Sequence, residues 1–273
     1  MPIPPRSLCK ADARNPVRRE LQRAALGGAI HGAPWVHRPH GARQCRLQRS
    51  LASADDAVAV AVFVASHGGL GAGGGDAKTD VAGHKATGGD APSGGVAGAV
   101  TLTSGGAAVT ISTGANAEGG HAVLAESIGG QGGKGGDADA AFIGGSQGGN
   151  GGAGTVNVDL VGNVSTRASQ AQAVYACSFG GSGGEGGNAD AKIGSGKGGA
   201  GAGSAPGGDV GLTYQGSVTT ASEEANALMA TSVGGFSGSG GSGSGFLGFG
   251  AGSQSAGDGG NVTLSLTGTT VTT

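Results

Sequence analysis

Four copies of one nine-residue unit constrain this chain more than any other feature. The clearest copies are Ala122-Val-Leu-Ala-Glu-Ser-Ile-Gly-Gly130, Ala173-Val-Tyr-Ala-Cys-Ser-Phe-Gly-Gly181 and Ala227-Leu-Met-Ala-Thr-Ser-Val-Gly-Gly235, with a degenerate one at Ala61-Val-Phe-Val-Ala-Ser-His-Gly-Gly69. Their first alanines stand 61, 51 and 54 residues apart. A long, nearly fixed period marks a repeat architecture, in which no unit buries its apolar face alone and each is covered by its neighbours.

A second unit keeps the same register: Val100-Thr-Leu-Thr-Ser-Gly105, Val156-Asn-Val-Asp-Leu-Val-Gly162, Val210-Gly-Leu-Thr-Tyr-Gln-Gly216 and Val262-Thr-Leu-Ser-Leu-Thr-Gly268. A further short β-branched stretch follows each, beginning at Val109, Val164, Val218 and Val271. Apolar and polar residues alternate in these units, the two-residue period of a half-buried strand. Each repeat therefore reads as strand, Gly turn, strand, polar turn, strand. The expected fold is all-β, a right-handed parallel β-helix over residues 53–273, with repeats of about 51–61 residues and the last one truncated. In such a stack Val123, Val174 and Leu228 lie above one another, as do Ala125, Ala176 and Ala230. Alternation puts Val174, Ala176 and Ser178 inward, the serine hydroxyls bonding one another or nearby backbone. Cys177 then becomes an outward, accessible thiol.

Residues 129–154, 180–208 and 234–260 are mostly Gly, Ser, Ala, Asn and Asp. Glycine loses the most backbone entropy on ordering, so these are expected to be mobile loops extruded from one side. Gly makes up 65 of the 273 residues, while Leu, Ile, Val and Phe together make up only 47. That apolar share is too small for an ordinary enzyme core but suits a narrow coil filled by Ala and Val.

The chain changes character at about residue 52. Residues 1–50 hold ten of the sixteen Lys and Arg but only four Gly, and carry a net charge of +8; the remainder carries −10. The basic segment has no sustained period beyond a possible short helix near residues 17–26. A basic arm can bind nucleic acid or an anionic membrane. A disordered tail, or a stretch from a wrongly chosen start or frame, is the preferred reading, and no nucleic-acid partner is assigned. Three cysteines, Cys9, Cys45 and Cys177, are too few and too widely spaced for a disulfide framework. The longest apolar run, residues 57–65, is far short of the ~20 residues a spanning helix needs.

Motifs for chemistry are present but cheap in so glycine-rich a chain. Gly-x-Ser-x-Gly occurs at 144–148 and 180–184 without the helix that a nucleophile elbow requires. Lys134 and Lys197 follow Gly but precede neither Ser nor Thr, which excludes a phosphate-binding loop. Gly132-Gly-Lys-Gly-Gly-Asp-Ala-Asp-Ala140 comes near a calcium-binding nonapeptide, except that Asp139 stands where an apolar residue belongs. Asp137, Asp139 and Asp190 are thus weighed as an isolated weak cation site and read instead as solvated carboxylates. His31, His37, His40, His67, His84 and His121 are scattered or lie in the tail. No catalytic, cofactor-binding or metal-binding residue is assigned, and no cofactor.

The run from Ala122 to Gly136, with the Gly-x-Val-x-Thr segments before it, resembles the glycine-rich repeats in passenger regions of large bacterial autotransporters, over residues 53–273. The resemblance implies a β-helical passenger, exported and displayed at the outer membrane or secreted, active in adhesion or surface coating and not as an enzyme. No signal peptide with an apolar h-region and no barrel-forming strands are read in the chain. Membrane association is expected only through a barrel outside it, the chain being read as a fragment, and the surface ligand or host component stays unassigned. Two alternatives are kept. One is a glycine-rich surface protein of the mycobacterial PE-PGRS kind, whose tracts are more continuous and whose helical N-terminal domain has no counterpart here. The other is a β-helix glycan-processing enzyme, disfavoured because residues 51–273 contain a single Arg.

Overall fold

The computed structural model describes residues 43–47, 51–52, 60–78, 85–114, 120–140, 142–144, 149, 151–167, 169–221 and 225–273. Among these residues the protein is all-β, without a helix, and every strand pairing is parallel.

The nine-residue units form one four-stranded sheet, Val62–His67, Val123–Ile128, Val174–Phe179 and Leu228–Val233, lying side by side in chain order. Its register is the one that the repeat implies: Val123, Val174 and Leu228 are partners, and so are Ala125, Ala176 and Ala230. Ser66, Ser127, Ser178 and Ser232 share one column, and this is called the serine sheet below.

The second units build a larger sheet facing it. Val156–Thr166 and Val210–Thr220 pair along all eleven residues. On their flanks the same course is split, into Val100–Thr103 and Val109–Thr113 on one side and Val262–Leu266 and Thr270–Thr272 on the other. In the two unbroken strands the expected glycine turn is a kink within a continuous strand. Gly162 and Gly216 take φ of 131° and 132° there, a region that side chains rarely enter. Two further strands, Arg43–Arg46 and Leu51–Ala52, extend this sheet N-terminal to the compositional boundary at residue 52. Cys45 in the first of them and Leu47 just after it are buried, at 4% and 5% exposure. The expected tail of residues 1–52 otherwise lies outside the described residues.

Between the long sheet and the serine sheet sits the main core. Val62, Val64, Val123, Ala125, Val174 and Ala176 on one side meet Leu102, Ile111, Val158, Leu160, Leu212, Tyr214 and Val218 on the other. Fully burying a Val, Leu or Ile contributes about 1.5–3 kcal/mol each, which gives this narrow layer its cohesion. Small inward residues on the serine sheet leave room for the larger ones opposite. Two short sheets close the far end: Ala77–Lys78, Ala138–Ala140, Ala189–Ala191 and Gly243–Ser244 in one, Lys85–Thr87, Phe142–Gly144, Ser195–Lys197 and Leu247–Phe249 in the other. Ala86, Ala138, Ala189 and Ala191 form a second, small core there.

The glycine-rich segments are not the extruded loops that composition suggests. In each repeat one leg runs outward from the serine sheet and another runs back. Gly129, Gly132, Gly135 and Ala138 donate to the carbonyls of Phe179, Ser182, Glu185 and Asn188 of the next repeat, at 2.8–2.9 Å. Gly180, Gly183, Gly186 and Ala189 donate in turn to Val233, Phe236, Ser239 and Ser242, again at 2.8–2.9 Å. A bond at every third residue is the period of a polyproline II helix. The returning leg lies between two outbound ones. Gly199, Ala202 and Ala205 donate to Gly187, Gly184 and Gly181, while Gly241, Gly238 and Gly235 donate to the carbonyls of Gly199, Ala202 and Ala205. Such close approach needs Gly at two positions of each triplet: a Cβ on Gly132 would strike the Gly149 carbonyl, and one on Gly184 the Gly133 carbonyl. The entropy argument for mobility fails because the backbone bonds that glycine permits offset the cost of ordering it.

Candidate functional site

The outward face of the serine sheet gathers the groups with most chemical potential. Three rows cross it, Phe63/Leu124/Tyr175/Met229, Ala65/Glu126/Cys177/Thr231 and His67/Ile128/Phe179/Val233. Most of these side chains are half-buried, so the face is chiefly apolar with one polar pair. His67 Nε2 lies 2.7 Å from Glu126 Oε1.

Cys177 corrects an expectation. Alternation places it on the outward side, yet it is 1% exposed. A short side chain sits there among longer ones: Tyr175 and Phe179 flank it along the strand, Glu126 and Thr231 across it. Burial, reinforced by the Glu126 carboxylate, pushes its thiol up to about 12. Such a thiol is protonated at neutral pH, the reverse of a nucleophilic cysteine, and His67 stands in a different row. At the edge of this face His121 packs edge-to-face on Tyr175, ring centroids 5.4 Å apart, and its Nδ1 accepts the Gln172 N–H at 3.1 Å. Burial holds the His121 imidazole below its ordinary value, against a smaller opposing pull from Glu126.

The outbound glycine legs present a second surface. The third residue of each triplet points to solvent, as at Gln131, Lys134, Glu185, Asn188 and Ser239. One column, Asp76, Asp137, Asn188 and Ser242, binds the repeats together: Asp76 Oδ1 accepts the Asp137 N–H at 2.8 Å, Asp137 Oδ1 the Asn188 N–H at 2.6 Å, and Asn188 Oδ1 the Ser242 N–H at 3.0 Å. Lys134 Nζ donates to Asp137 Oδ2 at 2.8 Å, which holds the Asp137 carboxyl below and the Lys134 ammonium above their usual values.

The three carboxylates weighed as a cation site do not converge. Asp137 belongs to the glycine leg, with both oxygens engaged as above. Asp139 and Asp190 are strand partners on the outer side of a short sheet, where Ala138 and Ala189 point inward. Lys78 and Lys192 approach Asp139 at 3.6 and 3.8 Å, and Ser244 Oγ donates to Asp190 Oδ1 at 2.6 Å. Among the described residues no group of three His, Cys, Asp or Glu side chains is arranged to hold a metal.

Ser182 of the second Gly-x-Ser-x-Gly lies within an extended glycine leg, its carbonyl accepting the Gly132 N–H. Ser146 of the first, with Cys9, His31, His37, His40 and His84, lies outside the described residues. Lys197 ends a short strand with its side chain exposed. What sequence reasoning missed is the Asp76–Asp137–Asn188–Ser242 column. Its signal was a carboxylate, amide or hydroxyl eight residues after the first Gly of each outbound leg.

Comparison with family models, with curated proteins and with solved structures gives no match to this chain. Among the described residues no helix is long and apolar enough to cross a membrane, which says nothing of a β-barrel.

Proposed function

We propose that the chain is a right-handed parallel β-helix serving as a non-enzymatic structural and adhesive region, displayed at a bacterial cell surface or secreted in the manner of an autotransporter passenger. The carrying observation is the registered column. Every sheet places the strands of successive repeats in chain order, so equivalent residues recur one strand spacing apart, about 4.8 Å. A surface built in this way sets its outward groups at even spacing over a long face, which suits many weak contacts to an extended target better than one deep site. The outward chemistry supports this reading: short polar ladders and exposed ion pairs.

Antibodies raised against the purified chain and applied to intact cells of its source test the display. Labelling without permeabilisation is expected. Labelling only after the cells are broken open would overturn it. Adhesion is tested by attaching the chain to beads and measuring their retention on host cells or glycan-coated surfaces; retention equal to that of uncoated beads would remove the adhesive role.

A further inference from the structure

The outer face of the long sheet, beyond the bend at Gly162 and Gly216, carries one kind of group. Two rows cross it, Thr110/Asn163/Ser217 and Ser112/Ser165/Thr219, and the register carries them on to Thr270 and Thr272. Thr110 and Asn163 are exposed, and the other four of the inner strands are half-buried. Before the bend two similar rows are interrupted by Asp159 and Gly211. Beyond it every position is a hydroxyl or an amide, with neither a charge nor a ring. An occupant of this plane is therefore uncharged, and has no ring on which a sugar could stack.

The plane is also held still. Ile111, Val164 and Val218 fix the strands from below, at most 1% exposed. The Ser217 hydroxyl donates to Asn163 Oδ1 at 2.6 Å, across two repeats, and threonine is stiff at χ1. Strand pairing sets neighbours within a row about 4.8 Å apart, and two residues of parallel strand set the rows about 6.6 Å apart. Water joined tetrahedrally at an O···O distance of about 2.75 Å puts second-neighbour oxygens about 4.5 Å apart. The same geometry repeats along the hexagonal axis of ice every ~7.3 Å. Each spacing of the protein lies within about a tenth of one of these. With the middle strand aligned, the error at each neighbouring strand is about 0.3 Å, inside the spread of ordinary hydrogen-bond lengths.

We propose that this plane binds ice, its hydroxyls and amides taking the places of oxygens in the outermost layer of the crystal. The inner repeats alone supply the match. The proposal rests on the registers of the long sheet, and neither display at a cell nor adhesion to a host enters it.

Partition into a slowly growing ice front tests it, with the full chain, albumin as the excluded standard and far-ultraviolet circular dichroism of each sample. The parent should be enriched in the ice over albumin and should shape single crystals under a cooled stage. Ser165→Lys and Asn163→Lys, which set a charge in the middle of the plane, should each fall to albumin's level with the sheet signal kept. Glu185→Lys, on the outer face of the glycine layer, should partition as the parent does. A parent with an intact sheet signal that is excluded like albumin, or variants enriched as strongly as the parent, overturns the proposal and leaves the adhesive reading standing. Retention on insoluble cellulose without partition into ice would overturn it in favour of a neutral polysaccharide. A chain without a β-sheet signal would overturn the registers beneath it.

Discussion

The Ser178 hydroxyl donates to the Gly154 carbonyl at 2.9 Å. It also accepts the Gly208 N–H at 2.9 Å, and Ser127 makes the same two bonds with Gly98 and Gly154. A continuous zigzag of hydroxyl and backbone thus runs across the repeats, between the serine sheet and the returning glycine legs. Ser178→Ala would leave a buried carbonyl and a buried N–H without partners, which costs about 1–3 kcal/mol. Urea denaturation of S178A should show a lowered midpoint with an unchanged slope. A midpoint equal to that of the parent would mean that the zigzag contributes nothing to stability.

The glycine layer predicts a reversal of a common rule. Gly→Ala usually stabilises where the backbone tolerates it, by about 0.4–1 kcal/mol through the unfolded chain. Gly184→Ala should instead destabilise by about 1–3 kcal/mol, because its Cβ would meet the Gly133 carbonyl and force two legs apart. The neighbouring Glu185→Ala, with its side chain in solvent, should change stability by less than about 0.5 kcal/mol. Thermal melts of the two variants decide whether the layer is packed; an equal response would show that it is not.

Cys177 should react with a thiol reagent only after global unfolding, and Cys177→Arg should cost more than about 2 kcal/mol, since the buried site has no room for the longer side chain. Ala176→Arg, on the inward side, should be at least as damaging. Rapid labelling of the native protein would place the thiol back at the surface.

How much of this was legible follows from what each kind of segment writes into its side chains. A strand with alternating residues announces its faces, so the inward set Val174, Ala176 and Ser178, all 0% exposed, could be read directly, together with the partners of each. Alternation gives the side on which a residue lies, not the height of its neighbours, and Cys177 was misjudged for that reason. The glycine legs carry their information in what is missing. Gly-Gly-Gln, Gly-Gly-Lys and Gly-Gly-Asp across 129–137 have a three-residue period, hidden from any search tuned to two or 3.6. The strand Arg43–Arg46 was hidden by its two arginines, which drew attention to charge and away from Cys45 and the Leu47 that follows.

His121 sets a pH dependence. Its folded-state value is depressed below the ordinary 6.5, and its Nδ1 must stay unprotonated to accept the Gln172 N–H. Over the interval below 6.5 the unfolded chain binds more protons than the folded one, so stability is fully present above that value and falls as the pH drops through it. The melting temperature should decline from pH 7.5 to pH 5.5, and His121→Gln should flatten the decline. A variant as pH-sensitive as the parent would exclude His121 as its source.

Tyr214 adds an alkaline counterpart. Its hydroxyl lies 2.8 Å from the Gly162 carbonyl and 2.7 Å from that of Ser217, and burial pushes its ionisation up to about 12. The unfolded chain gives up this proton near 10, so the stability contributed is intact below pH 10 and is lost as the pH rises from there towards 12. Tyr214→Phe should lower stability at pH 7 by about 1 kcal/mol and lessen the loss between pH 9.5 and 11, as read by denaturant titration at each pH.

The outbound legs have one further property. Each runs nine residues in all four repeats, 68–76, 129–137, 180–188 and 234–242, while the spans joining the two short sheets vary: six residues between Lys78 and Lys85, one between Ala140 and Phe142, three between Ala191 and Ser195, two between Ser244 and Leu247. A leg that gains one residue shifts every later triplet against its neighbours, whereas the spans at the tips already differ in length while the strands on either side stay paired. Length variation within a lineage of such chains should therefore collect at the tips and spare the legs. For protein engineering the span between Ala191 and Ser195 becomes the place to graft a foreign epitope, held at the far rim of a scaffold that already sets its own spacing.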